Sequence, residues 1–138
     1  MWNLFIDDER QLQDVTCAPR RMQERYRDQS WVIVRNKSQA IRAIADHGQI
    51  APNFISFDHD LGNNEPTGLD IAQWIVDQHM DRNIEIPEDF DFYVHSMNPV
   101  GRENIERYMR NYLSHIQYDG HRGRRTNMSN AGDRDYDI

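Results

Sequence analysis

Acidic, histidine and hydroxyl residues follow three of the short apolar runs in this sequence, and these residue types could support metal-assisted phosphate chemistry. They are Asp7 and Asp8 after residues 2–6, Asp58, His59 and Asp60 after residues 54–57, and His95 and Ser96 after residues 91–94. Carboxylates brought close together repel and need a cation or shared protons, and oxygen-rich sites of this kind suit Mg²⁺ or Mn²⁺. Two imidazoles that titrate near neutral pH can share general acid and base duty in cleaving a phosphodiester, or one of them can bind the metal.

The apolar runs predict the sheet that must position these residues. Four solid runs predict buried strands at 2–6, 31–34, 54–57 and 91–94, and helical spacing predicts helices at about 36–48, from Gly68 to about Met80, and from Pro99 onward. Strands that alternate with helices imply an α/β fold with a parallel sheet covered on both faces. The carboxyl ends of such strands share one edge, where open α/β sheets bind ligands. With a strand order of 2-1-3-4, Asp7, Asp8, Asp58 and Asp60 converge there.

Two structural alternatives compete with this chemical interpretation. Strand ends often carry Asp as a helix cap, and a single strand-end histidine is more often a structural hydrogen-bonding residue. Each alternative explains a single polar residue well. Neither explains as easily why three adjacent strand ends all carry acidic, histidine or hydroxyl residues.

Residues 96–101 lead into the last predicted helix and could hold an anion. Free backbone N–H groups at a helix start attract phosphate, and Ser96 and Asn98 add polar groups. Either side chain could equally well cap the helix. Arg102, in the first turn, opposes the helix dipole unless it faces a phosphate.

Composition limits the class of protein. The 138 residues fit one domain, with a polar segment at 117–138 that we expect to be a flexible tail beyond a domain at 1–116. A net charge of −7 argues against binding to duplex DNA. The apolar runs are too short for a membrane span. A lone cysteine, Cys17, and the lack of an export signal predict a cytoplasmic protein.

The segment Leu4–Arg10, with its acidic pair, resembles the response-regulator receiver domain, as do the Asp after the third strand and the small hydroxyl residue after the fourth. In that family the acids hold Mg²⁺ and the third-strand Asp accepts a phosphoryl group. Asp58 occupies the matching position. Receivers also use a lysine after a fifth strand, whereas this chain has only Lys37, before the second helix, and shows no clear fifth strand. A phosphoaccepting receiver is therefore the least favoured interpretation.

Three segments together are similar to the receiver-derived cyclic-phosphate processing (cREC) family of bacteria and phages: FIDDER (5–10), FDHDLG (57–62) and HSMNPVG (95–101). The similarity runs from Trp2 to about Leu113. It implies a receiver- or flavodoxin-like three-layer α/β fold with a mainly parallel sheet, and the lack of a clear fifth strand after Leu113 comes from the sequence itself. It also implies a hydrolytic role on cyclic phosphates, in a bacterial cell or a phage-infected host.

We therefore predict a metal-assisted phosphoesterase that opens a cyclic phosphodiester, at an RNA 2′,3′-cyclic phosphate end or in a cyclic nucleotide. The predicted roles are divalent metal binding (Mg²⁺ or Mn²⁺) by Asp7, Asp8 and Asp58, catalysis by His59, His95 and Asp60, and phosphate binding by Ser96, Asn98, Gly101 and Arg102. The alternative is a non-catalytic receiver-like module that binds or sequesters a cyclic nucleotide or a protein partner.

Overall fold

The structure, a computed structural model, describes residues 1–15, 18–28 and 30–126, with side chains as far as residue 116. Cys17 and residues 127–138 lie outside this part of the chain.

Four short strands form one parallel sheet. They are β1 (Asn3–Ile6), β2 (Trp31–Val34), β3 (Phe54–Phe57) and β4 (Asp91–Val94). The order across the sheet is β2-β1-β3-β4, and all three pairings are parallel. The predicted α/β receiver-like fold and its strand order are thus confirmed. Every residue of β1 and β3 is buried, as expected of central strands covered on both faces.

Four helices connect or follow the strands: α1 (Arg20–Gln23), α2 (Lys37–Asp46), α3 (Gly68–Met80) and α4 (Pro99–Thr126). Asn36 caps α2, since its side-chain oxygen accepts from the backbone N–H of Gln39 at 2.9 Å. Thr67 and Asp70 form a reciprocal capping box at the start of α3. Short 3₁₀ segments at Leu12–Asp14 and Glu24–Arg27 flank α1.

The two faces of the sheet carry different cores. Because side chains alternate along a strand, Leu4 and Ile6 lie on one face and Phe5 on the other. The face of Phe5 is aromatic: Tyr26 and Trp31 stack at 5.4 Å, and both meet Phe54 edge-on. Right-handed crossovers place α2 and α3 together on one face, and these two helices contact each other.

The part of the chain that the structure describes divides into two units, Met1–Glu106 and residues 107–126. The first holds the whole sheet and the start of α4. In the second, α4 continues as helical backbone to Thr126, which includes the first ten residues of the segment at 117–138. The predicted domain boundary at residue 116 stays a prediction. Within the described ranges, no helix is both long and apolar enough to cross a lipid bilayer.

Candidate functional site

The register of the sheet places three of the predicted site residues in one row. Ile6, Phe57 and Val94 are paired neighbours on β1, β3 and β4. The next residue on each strand continues the ladder: the N–H of Asp58 donates to the carbonyl of Ile6, and that of His95 to the carbonyl of Phe57. Asp7, Asp58 and His95 therefore stand side by side at the carboxyl edge of the sheet. Each offers a ligand atom within 4.8 Å of the other two, and all three residues are buried.

Asp7 is held by hydrogen bonds from several directions. Its Oδ1 accepts from the backbone N–H groups of Glu9 and Arg10, both at 2.8 Å, and its Oδ2 lies 3.0 Å from Nε2 of His95. Burial by itself raises the pKa of Asp7, but the hydrogen bonds from His95, Arg10 and Glu9 outweigh it and bring the pKa down to about 2. The guanidinium of Arg35 fixes the backbone of this loop, because its Nη1 donates to the carbonyl oxygens of Asp7 and Arg10. Asp7 is therefore an ionised carboxylate at neutral pH.

The pKa of Asp58 is shifted in the opposite direction to that of Asp7. Burial, and then the nearby charge of Asp7, raise its pKa, while hydrogen bonds from the backbone of His59 and the hydroxyl of Ser96 act in the opposite direction. A buried carboxylate whose pKa is raised by a neighbouring carboxylate gains from a cation shared by the two. The backbone of Asp58 also packs tightly against the start of α3, where a side chain on Gly68 would overlap the Asp58 carbonyl oxygen.

His95 is almost fully buried, and both of its ring nitrogens have partners. Its Nε2 faces Asp7, while Nδ1 lies 2.6 Å from Oγ of Ser56. The ring stacks in parallel on Phe5, with centroids 4.7 Å apart. Only 3% of His95 is exposed, so the residue is fixed in place and shielded from solvent.

His59 and Asp60 form a separate pair nearer the surface. Nδ1 of His59 lies 2.9 Å from Oδ1 of Asp60, and Oδ2 of Asp60 accepts from the side-chain amide of Asn98 at 3.1 Å. These two hydrogen bonds lower the pKa of Asp60. Gly101 of α4 lies against the His59 imidazole so closely that a Cβ there would overlap the ring. The absence of a side chain at residue 101 is therefore what makes room for His59.

The start of α4 is capped by its own residues. The side-chain oxygen of Asn98 accepts from the N–H of Gly101 at 3.0 Å, and the hydroxyl of Ser96 accepts from the N–H of Asn98 at 3.1 Å. Asn98 thus acts as the helix cap, the second of the two interpretations open from the sequence. Because these two N–H groups already have acceptors, the predicted anion site has fewer free donors than the sequence alone suggests.

A polar cleft of about 460 Å³ opens over this edge of the sheet. Of the predicted residues, its walls include Asp8, Asp58, Asp60, Ser96 and Asn98. The other five do not line it. Asp7 and His95 are buried, and His59 is hydrogen-bonded to Asp60. Gly101 is engaged with Asn98 and His59, and Arg102 is exposed.

Three residues that the sequence did not single out belong to this region. Arg10 lines the cleft and donates from Nη1 to the carbonyl of His95 at 3.3 Å. Ser56 contacts His95, and Tyr26 contacts Ser56 at 2.8 Å between hydroxyl oxygens. Ser56 did carry a signal, since it is a lone polar residue in an apolar strand, two positions before Asp58 and so on the same face. Tyr26 carried none, because its segment has no apolar periodicity.

Comparison with known proteins gives one family. A family model described as the "Cyclic-phosphate processing Receiver domain" matches residues 2–111, which include every residue of the site described above. No curated protein and no solved structure gives a significant match.

Proposed function

Because the chain belongs to the family of cyclic-phosphate processing receiver domains, we propose that it is a metal-assisted phosphoesterase that hydrolyses a cyclic phosphodiester. The substrate class is an RNA 2′,3′-cyclic phosphate end or a cyclic nucleotide. The observation that carries the proposal is the buried cluster of Asp7, Asp58 and His95 beneath a cleft whose walls are polar.

The donor set of this cluster fits a divalent cation. Two carboxylates and an imidazole lie within 4.8 Å of one another, and the raised pKa of Asp58 reflects, after burial, the charge of Asp7. A cation held there would neutralise charge on the phosphate and so favour attack by water. Asp8, on the wall of the same cleft, would extend the site as a further acidic residue. Since imidazole suits Mn²⁺ better than Mg²⁺, the set favours Mn²⁺.

His59 and Asp60 are the proposed acid–base pair. Asp60 engages Nδ1 of His59, so Nε2 would be the ring atom that gives or takes a proton. Because His59 does not itself line the cleft, the ring would have to turn toward the substrate. Asn98 and His59 hold Asp60 on the cleft wall from two sides. Hydrogen bonds of this kind fix the orientation of a catalytic imidazole. Proton transfer by His95 stays a prediction, and the burial of that side chain favours the role of cation ligand.

Phosphate oxygens would meet donors on two walls of the cleft. Arg10 supplies a guanidinium and Asn98 an amide, whereas the Ser96 hydroxyl, which donates to Asp58 in this structure, would have to turn from that carboxylate to reach a phosphate. Arginine recognises phosphate through several parallel donors. We therefore propose Arg10 as a phosphate ligand alongside Ser96 and Asn98, and we assign Arg102 a smaller part because it is not on these walls.

The test is an incubation of purified protein with an RNA that ends in a 2′,3′-cyclic phosphate, and separately with cyclic nucleotides. Each reaction is run with Mg²⁺, with Mn²⁺ and with EDTA, and the masses of the products are measured by mass spectrometry. We expect a gain of one water that needs the metal. Recovery of unchanged ligand bound to the protein would support the alternative, a binding module. If the protein neither binds nor hydrolyses any of these ligands, the phosphoesterase and the binding module are both contradicted.

Four variants make the assay specific. Asp58→Asn should abolish metal-dependent turnover, and His59→Gln should reduce it at least a hundredfold, the usual contribution of a proton-transferring residue. Asp77→Asn, an exposed acid in the middle of α3, is the matched control and should leave turnover unchanged. His95→Ala tests the remaining role in one direction, since a loss below about fivefold would rule out proton transfer by His95, whereas a larger loss fits a cation ligand as well.

A further inference from the structure

Three hydrogen bonds join Tyr26 to Asp7 through the interior of the protein. The hydroxyl oxygens of Tyr26 and Ser56 are 2.8 Å apart, Oγ of Ser56 is 2.6 Å from Nδ1 of His95, and Nε2 of His95 is 3.0 Å from Oδ2 of Asp7. Ser56, His95 and Asp7 are all buried. Stacking on Phe5 fixes the plane of the imidazole. The ring therefore has one orientation, with Nδ1 toward Ser56 and Nε2 toward Asp7.

The chemistry of the partners determines where the ring proton lies. An ionised carboxylate can only accept, and a neutral imidazole has one donor and one acceptor nitrogen. Nε2 must therefore carry the proton when it faces Asp7 alone, so that Nδ1 accepts from Ser56 and Ser56 accepts from Tyr26. In each of the three bonds the donor is then the residue on the Tyr26 side and the acceptor the residue on the Asp7 side. Hydrogen bonds arranged in one direction strengthen each other.

A cation bound to Nε2 would require the opposite arrangement. Nε2 would offer its lone pair, Nδ1 would carry the proton and donate to Ser56, and the Ser56 hydroxyl would turn to donate to Tyr26. Both hydroxyls can donate or accept, so the same atoms serve both states without moving. Partners behind a ligating histidine fix its tautomer and strengthen metal binding in this manner.

We propose that Ser56 and Tyr26 are positioning residues for His95, which present its Nε2 to the Asp7–Asp58 cluster and accept the reversal of the hydrogen bonds when a cation binds. The inference rests on the cation site of the proposed function and adds two residues from outside the cleft to it. Neither residue touches the reacting atoms, and each acts through His95.

The first readout needs neither a cation nor activity. Nitrogen-15 NMR of histidine-labelled protein reports which ring nitrogen is protonated, and His95→Gln identifies the signal of His95. We expect Nε2 protonated and Nδ1 unprotonated in the wild type. Ser56→Ala removes the donor to Nδ1 and should shift the Nδ1 resonance while Asp7 keeps Nε2 protonated, and Tyr26→Phe should shift the same resonance less. Tyr93→Phe is the matched control, because Tyr93 lies beside Ser56 in the register of the sheet and is not one of the four residues that the three bonds described above join.

The second readout is the affinity for Mn²⁺, measured by calorimetry. Residues that support a metal ligand in this way typically contribute about 10- to 100-fold to metal affinity. We therefore expect Ser56→Ala and Tyr26→Phe each to bind Mn²⁺ at least about tenfold more weakly, and Tyr93→Phe to bind it normally. Circular dichroism of each variant checks that the fold is kept.

The two hypotheses fail in different ways. A wild-type His95 protonated on Nδ1, or a signal unchanged in Ser56→Ala, would overturn the positioning role. Normal Mn²⁺ affinity in both folded variants would overturn it as well. No Mn²⁺ binding by the wild type would contradict the cation site of the proposed function, and the cation-free spectra would still decide whether Ser56 and Tyr26 position His95.

Discussion

Nε2 of His95 lies 3.0 Å from Oδ2 of Asp7, and each side chain is only 1% exposed. The two residues are 88 positions apart in the sequence and lie on strands separated by β3. They meet because the register places Asp58 between them in the same row. Asp7 is ionised, the pKa of Asp58 is raised, and the imidazole of His95 is held in place. A divalent cation would stabilise this arrangement.

Thermal unfolding should show this stabilisation directly. A ligand that binds only the folded state at a hundredfold excess over its Kd adds about 2.7 kcal/mol, which corresponds to several degrees in Tm for a domain of this size. We expect Mn²⁺ to raise the Tm of the wild type and of Asp77→Asn, but not of Asp7→Asn or Asp58→Asn. Equal shifts in all four proteins would show that Mn²⁺ binds elsewhere.

The same donor set predicts a choice between metals. Mg²⁺ prefers six oxygen ligands in a strict octahedron, whereas Mn²⁺ accepts imidazole more readily. Calorimetry on the wild type should therefore give tighter binding of Mn²⁺ than of Mg²⁺. His95→Gln replaces the ring nitrogen by an amide and should reduce this ratio. A wild type that binds both metals equally would indicate that His95 is not a ligand.

Much of the fold followed from the sequence because its signals are local. The strands WVIV, FISF and DFYV and the helix Gly68–Met80 have the bounds that their apolar patterns predict. The site was only partly predictable, since its contacts join distant loops. Asn98 meets Asp60 across 38 residues, and no spacing rule reveals that bond. The hydrogen bonds that Ser96 and Asn98 accept from the backbone at the start of α4 show the same limit, because a sequence cannot tell whether a polar residue faces a ligand or its own backbone.

The pH dependence of stability should include a contribution from His79, in the last turn of α3. Burial lowers the pKa of this imidazole from its ordinary value of 6.5, so the unfolded chain takes up the proton more readily than the folded one. The stability that depends on neutral His79 is complete above pH 6.5 and is lost as the pH falls from there through the lowered pKa of the folded state. Asp7 does not titrate in this window, because its pKa is about 2.

His79→Gln tests that contribution. Removing the titrating group should reduce the loss of Tm between about pH 7.5 and pH 5.5 relative to the wild type. Differential scanning calorimetry at the two pH values gives the difference for each protein. A variant that loses as many degrees as the wild type would show that other groups account for the dependence.

The close contact between Gly101 and His59 gives the sharpest test of the acid–base pair. A methyl group on residue 101 would overlap the imidazole, and the ring, which lies nearer the surface than the backbone of α4, is the part that can move. Moving it breaks the 2.9 Å contact with Asp60. Because a misplacement of about 1 Å can cost on the order of a hundredfold in rate, Gly101→Ala should reduce kcat by at least about tenfold while Mn²⁺ affinity stays normal.

Val100→Ala, at the exposed neighbouring position, is the control and should keep full activity. Unchanged turnover in folded Gly101→Ala would mean that the position of the His59 ring does not matter for catalysis, and the acid–base role would then have to pass to another residue.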